Sequence, residues 1–298
     1  MLVKDIGEFG LIERFRKSIK TDSSVVAASG DDCAVLRMDR SNYQLLTCDM
    51  LVEDVDFTLK DNPYLVGRKA IAVSLSDIAA CAGQARYCVI SLGLPGDTAL
   101  KFTDALFKGM LDVSRKYKVN IVGGDLSRSK KIIIDVSMLG QVEKKRLVLR
   151  SGALPGDIIF MTGKLSGPAS GKHLKFPPRL KEAEFLTRNF KINAMIDISD
   201  GLVQDLKHIL DRSKAGAVIY EDLIPLAKGA PGLSVSLQSG EEFELLFTLS
   251  RKEARKLFEK RPFEFKPIGE IMPKKYGLKL IDKEERAINI IPKGFRHF

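Results

Sequence analysis

Helix-like and strand-like segments alternate along this chain without the strict strand–helix–strand order of a parallel sheet, which predicts an α+β fold. The length of 298 residues suits one large domain or two of ordinary size. A charged turn at 143–146 separates two unlike halves. Residues 1–143 carry 19 Lys and Arg against 19 Asp and Glu, and residues 144–298 carry 29 against 19, so the whole net charge of +10 sits in the second half. The expected domains are therefore 1–143 and 144–298.

Residues 5–19 read as a helix with Phe9, Ile12, Phe15 and Ile19 on one stripe. Strands are expected at 34–38 and 43–48. A long helix starts at Pro63, a residue suited to the first turn, and runs to 81, where Gly83 stops it. A strand at 87–94 ends at Pro95-Gly96, a helix covers 98–116, and strands follow at 119–122 and 132–142. In the second half, strands are expected at 158–161, 217–220, 244–249 and 278–281, and helices at 202–212 and 252–260. The stretch 168–179, with Pro177-Pro178, reads as an irregular loop.

Composition excludes several classes. Hydrophobic residues make up 45% and charged residues 29%, an ordinary globular balance, and no apolar run is long enough for a membrane span. The first ten residues carry acids where a signal peptide has an apolar core, so a cytoplasmic protein is expected. The four cysteines, Cys33, Cys48, Cys81 and Cys88, form no CxxC pair and read as free thiols. With histidine only at 173, 208 and 297, a His-rich zinc site or a histidine-based triad in the first half is not expected. The basic excess suits anionic ligands or a solvated surface. The basic residues are scattered singly, with few aromatics among them and no tryptophan, against a single-strand nucleic-acid site.

The informative signal is a set of acids in awkward places. Asp31 and Asp32 follow Gly30 and lead into an apolar strand, Asp49 closes the strand ending at Cys48, Asp125 follows Gly123-Gly124, and Asp197 and Asp200 flank Ile198-Ser199 before a helix. Asp77 interrupts the apolar face of the long helix. Singly, Asp200 suits a helix cap, Asp125 a turn, and Asp31-Asp32 an exposed hairpin. Together they suit a multi-metal phosphate site, because buried acids need partners or cations and magnesium takes carboxylates, waters and phosphates. The segment Gly167 to His173 imitates a P-loop but has three residues between its glycines, and His173 stands where a hydroxyl should ligate magnesium. ATP, if bound, is bound by another architecture.

These motifs coincide with a known family. The chain resembles the thiamine-monophosphate kinase family, of the superfamily of aminoimidazole ribonucleotide synthetase and selenophosphate synthetase. The resemblance rests on Gly30-Asp31-Asp32-Cys33, Thr47-Cys48-Asp49, Gly67-Arg68-Lys69-Ala70 with Ser76-Asp77, Val122-Gly123-Gly124-Asp125, Arg150-Ser151-Gly152, Ile196 to Leu202, Gly240 to Phe247, and the tail from Gly294 to Phe298. It implies a PurM-like two-domain α+β fold, a homodimer whose first domains pair, and transfer of the γ-phosphoryl of ATP to thiamine monophosphate with several magnesium ions. By motif, Asp32, Thr47, Cys48 through its backbone, Asp49, Asp77, Asp125, Asp197 and Asp200 would hold metal. Asp125 and Asp200 would act in catalysis through metal and phosphate positioning. Gly124, Asp125, Arg150 and Ser199 would contact the nucleotide, with Phe107 near it. Three positions depart from the family, all on the acceptor side: Asp56 replaces a histidine, Glu242-Phe243 replaces Asp-Tyr, and Phe295 stands where an aromatic, often tryptophan, packs on thiamine. The competing readings are another ATP-dependent member of the superfamily, with a different phosphorylated acceptor, and a basic nucleic-acid-binding protein. No cysteine precedes Cys33, which speaks against a selenophosphate synthetase.

Overall fold

The structure, a computed structural model, describes residues 2–167, 171–260 and 263–295. The chain opens with helix α1 (Val3–Arg16), kinked at Gly7, where φ is +64°. None of its residues is buried. The expected stripe is thus largely on the surface, with Ile12, Phe15 and Ile19 exposed, while Phe9 packs edge-on to His208 at 5.3 Å.

The first sheet contains β1 (Val25–Ala27), β2 (Ala34–Arg37), β3 (Asn42–Val52), then, after helix α2 (Pro63–Ala80), β4 (Gln84–Leu94), and, after α3 (Leu100–Tyr117), β5 (Asn120–Arg128) and β6 (Ile133–Glu143). Its order is β1-β2-β3-β6-β4-β5. Only β4 and β5 run parallel. Asn62 caps α2 by accepting the Tyr64 N–H at 2.9 Å, and Pro63 fills the first turn. Unlike a surface helix, α2 is buried nearly all round, because it lies against the first sheet on one side and the second domain on the other. It crosses α3 at Gly67 and Gly109. A Cβ at Gly67 would fall 1.9 Å from the Leu106 carbonyl oxygen, and one at Gly109 2.0 Å from that of Tyr64.

The second sheet comprises β7 (Ile158–Thr162), β8 (Ile192–Asp197), β9 (Ala215–Tyr220), β10 (Leu245–Leu249), β11 (Phe265–Pro273), β12 (Leu278–Ile281) and β13 (Ala287–Asn289), in the order β13-β12-β9-β11-β7-β10-β8. Helices α4 (Lys172–Lys175) and α5 (Leu180–Asn189) precede β8, α6 (Leu202–Ser213) follows it, α7 (Leu233–Gln238) precedes β10, and α8 (Arg251–Glu259) follows β10. The cores of the two halves meet at the end of α2, where Ala79 and Ala80 pack with Val148, Phe160 and Phe247. Among the described residues no helix is long and apolar enough to cross a membrane.

Several elements differ from expectation. Strand β3 continues past Cys48 to Val52, so Asp49 lies inside it. Strand β5 continues to Arg128, because its parallel pairing with β4 carries on through Ser91 and Asp125; Asp125 is a strand residue and not a turn. The stretch read as loop contains α4, while Pro168, Ala169 and Ser170 of the false P-loop lie outside the described residues.

Candidate active site

Four motifs from both halves converge at the inner end of α2. Strand β3 aims Thr47 and Asp49 at the helix, since alternate strand residues share a face. Cys48 points to the opposite, exposed face. The Thr47 hydroxyl donates to Asp77, giving the mid-helix acid its partner. Two serines of α2 donate to other carboxylates, Ser74 to Asp49 at 2.7 Å and Ser76 to Asp197 at 2.6 Å. Asp32 is buried, not in an exposed hairpin, and accepts from Arg150 Nη2 at 2.7 Å. The Arg150 N–H donates to Asp31 at 2.7 Å. Arg212 of α6 donates to the Gly30 carbonyl at 2.8 Å, so the second half clasps this turn.

One carboxylate oxygen each from Asp32, Asp77 and Asp197 lies within 4.8 Å of the others. Such crowding makes ionisation costly. Burial, with the charge of Asp32 adding to it, raises the Asp197 carboxyl to about 8 against the opposing pull of Ser76 and Arg150. Burial and then the charges of Asp49, Asp197 and Asp32 hold Asp77 well above the usual carboxylate range. Burial raises Asp49 to about 6. For Arg150, burial disfavours the cation but Asp32 overrides it, and the guanidinium is held more firmly charged. The second carboxylate oxygen of Asp32 is buried with no hydrogen-bond partner. An orphaned oxygen amid three crowded carboxyls fits a hard divalent cation, which takes oxygen ligands and displaces their protons.

Asp200 and Ser199 lie in the loop between β8 and α6. Asp205, in the first turn of α6, accepts the N–H groups of Asp200 at 3.1 Å and Gly201 at 3.0 Å, and so fixes this loop. Burial, with Asp200 and Asp197 nearby, raises the Asp205 carboxyl strongly. Asp200, Asp205 and His208 form a second close cluster, in which burial pushes His208 down to about 4. Phe295 straps onto the same loop, its N–H donating to the Asp200 carbonyl at 3.1 Å.

Beside these carboxylates lies a cleft of about 780 Å³, lined by Asp49, Asp56, Ser199, Asp200, Glu241 and Phe295 among others. Its wall is tied by Lys69, a fully buried lysine of α2, which donates to the Asp56 carbonyl at 2.8 Å and pairs with Glu241.

The expected residues fall into three groups. Asp32, Thr47, Asp49, Asp77, Asp197, Asp200, Ser199 and Arg150 gather around the cleft or its floor. Gly124 and Asp125 stand apart on the edge strand. Asp125 pairs with Ser91, Ser91 with Asp135 and Asp135 with Met50, which puts Asp125 three strand spacings, roughly 14 Å, from β3. Gly124 abuts β4, where a Cβ would fall 1.9 Å from the Ile90 carbonyl oxygen. Phe107 is exposed on α3. On the acceptor side, Phe295 lines the cleft half-exposed. The Asp56 carboxylate turns back to accept the Val52 N–H at 2.7 Å. Glu242 is buried away from the cleft, accepting from Ser166 and Gly167 N–H groups and from Lys172 at 2.7–2.8 Å. The acid of this pair on the cleft is Glu241. Arg296, His297 and Phe298 lie outside the described residues. Sequence reasoning gives no role to Ser74, Ser76, Lys69 or Asp205, although Lys69 and Ser76 stand in one of the quoted motifs. For Lys69 the signal was present, since a charge in the apolar run of α2 needs a partner as Asp77 does.

Residues 30–142 match the family described as AIR synthase related protein, N-terminal domain, and residues 153–280 match its C-terminal domain. A thiamine-monophosphate kinase of Buchnera aphidicola subsp. Schizaphis graminum is 34% identical, with 99% of each chain covered. The thiamine-monophosphate kinase of Bacillus subtilis is 31% identical, with 98% of this chain and 99% of that one covered. Among solved structures, AaThiL complexed with AMPPCP and TMP is 30% identical, with 100% of this chain and 99% of that one covered and a TM-score of 0.87. The hydrogenase maturation protein HypE of E. coli, 18% identical with a TM-score of 0.71 and 94% and 96% covered, shares the fold alone.

Proposed function

The chain belongs to the AIR synthase related family, and we propose from its aspartate-lined cleft that it transfers the γ-phosphoryl group of ATP to thiamine monophosphate, giving thiamine diphosphate and ADP. The observation that carries this reading is the meeting of Asp32, Asp77 and Asp197, with a buried unpartnered oxygen on Asp32, beside a cleft large enough for two phosphorylated ligands. Full-length relatives that are thiamine-monophosphate kinases, and a structural relative complexed with AMPPCP and TMP, support it.

The acceptor is a phosphate monoester whose oxygen is largely anionic near neutral pH, so the reaction requires no general base. The requirement is in-line positioning of two anions and neutralisation of their charge. Asp32, Asp49, Asp77, Asp197 and Asp200, with Thr47, are the residues that would hold Mg²⁺, which when bound neutralises and orients the phosphates. Arg150 offers a guanidinium already held charged by Asp32, suited to phosphate oxygens. Ser199 and the strapped Asp200 loop would border the nucleotide, and Phe295 and Glu241 would face the acceptor, whose thiazolium is cationic.

Gly124 and Asp125 would serve on the edge strand, next to a homodimer contact. Leu46, Met50, Tyr87, Val89, Val122 and Leu126 are all exposed on the first sheet. On β3 and β4 they alternate with buried residues facing α2, so a second copy would cover them. Incubation with ATP, Mg²⁺ and thiamine monophosphate tests the reading. Thiamine diphosphate formed in step with ADP is expected; ATP binding without diphosphate would refute the acceptor.

A further inference from the structure

A second cavity, of about 470 Å³, opens between the base of the first sheet and α5. Its charge is lopsided. The two acids on its wall are already paired, Glu143 with Arg146 at 2.9 Å and Glu184 with Arg188 at 2.6 Å. Three lysines on the wall, Lys116, Lys118 and Lys181, have no carboxylate partner among the described residues. Lys116 and Lys118 stand at the C-terminal end of α3, where cations offset the negative end of the helix. Lys181 has no such reason. It sits in the first turn of α5, where a cation is electrostatically unfavourable, and the acid of that turn, Glu182, is already paired with Arg179 at 3.0 Å. An anion in the cavity would balance the charge of these three exposed lysines, of which Lys116 also lies over the Tyr117 ring at 5.2 Å. Asn42, Gln84 and Gln141 supply further hydrogen-bonding groups, and Tyr117 an aromatic surface.

We propose that this cavity is a second anion site, distinct from the aspartate cleft and built for a phosphate-bearing small molecule that bridges the two halves of the chain. Its wall also includes the turn that ends α2, Ala82 and Gly83. The Gly83 N–H donates to the Ile78 carbonyl at 2.8 Å, and the Cys81 N–H to that of Asp77 at 3.1 Å. A ligand there touches the end of the helix that carries Ser74, Ser76 and Asp77.

The test is calorimetric titration of inorganic tripolyphosphate into the full chain in EDTA, which keeps the aspartate cleft free of metal. Saturable binding is expected. The combined variant Lys116→Ala, Lys118→Ala, Lys181→Ala should bind roughly tenfold more weakly, since exposed charge pairs contribute a few tenths to one kcal/mol each. A control with the same charge removed elsewhere, Lys252→Ala, Lys274→Ala, Lys275→Ala, should bind as wild type does. Lys181→Ala alone should weaken binding about two- to fivefold, which keeps the test open if the triple variant folds poorly. Absence of saturation, or equal weakening in the site and control variants, overturns the proposal. Kinase activity is a separate readout, so this failure is distinguishable from failure of the proposed reaction.

Discussion

Replacing Asp197 with asparagine removes one titrating group from the crowded carboxyls while keeping its shape, and the consequence for stability can be worked out. In the folded chain Asp197 holds its proton to about pH 8, against an ordinary value of 3.8. A carboxyl raised in this way contributes stability that is complete below the unfolded value and is lost as pH rises through the folded one. Between those limits the folded chain binds one proton more than the unfolded chain, so stability falls by about 1.4 kcal/mol per pH unit from this group. From pH 6 to pH 8 that amounts to roughly 2.5 kcal/mol, or about 4 °C in Tm for a protein of this size. Asp77 and Asp49 shift in the same direction and remain in both proteins. Differential scanning calorimetry in EDTA should therefore show wild type losing about 4 °C more than Asp197→Asn across this interval. At the upper pH, Mg²⁺ should raise the Tm of wild type and leave the variant unmoved, because ligation replaces the expelled protons. Parallel Tm–pH curves for the two proteins would refute the reasoning.

Gly67→Ala should destabilise the chain by about 3 kcal/mol or prevent folding, since its methyl group meets backbone at 1.9 Å; denaturant titration measures it. Lys69→Met leaves the half-exposed Glu241 able to turn to water but removes the tie across the cleft wall. It should raise KM for thiamine monophosphate about tenfold and change KM for ATP less, as steady-state kinetics in each substrate will show. Asp56→Ala should act through the same wall, because its carboxylate supports the Val52 N–H; a larger effect on acceptor affinity than on ATP affinity is expected. Asp200→Asn should abolish turnover while the circular dichroism spectrum stays that of wild type.

The parts of this architecture legible in the sequence were those with local causes. Pro63 and Gly83 bracket α2 in the sequence as they do in the structure, and Asp77 stands out because an acid on an apolar face demands a partner. Strand β11 has no clean alternating pattern, since it carries Pro267 and Gly269 in its interior, and a register shift between them absorbs both. Helix α5 escaped because Pro177-Pro178 made its approach look like loop, although Ala183 and Leu186 bury one face. Asp125 read as a turn after two glycines, but pairing with β4 overrode that propensity. The choice between Glu241 and Glu242 was not legible at all. Glu241 and Phe243 both take left-handed backbone, with φ of +62° and +50°, so no strand or helix period tells which acid faces the cleft.

The most direct measurement is a Mn²⁺ titration by electron paramagnetic resonance, run on wild type and on Asp32→Asn beside turnover of ATP and thiamine monophosphate. Among the described residues, Asp32 supplies the one buried carboxylate oxygen left without a partner. Tight Mn²⁺ binding and thiamine diphosphate formation should be lost together in the variant. Wild-type Mn²⁺ binding and turnover in Asp32→Asn would contradict a metal site at the meeting of Asp32, Asp77 and Asp197.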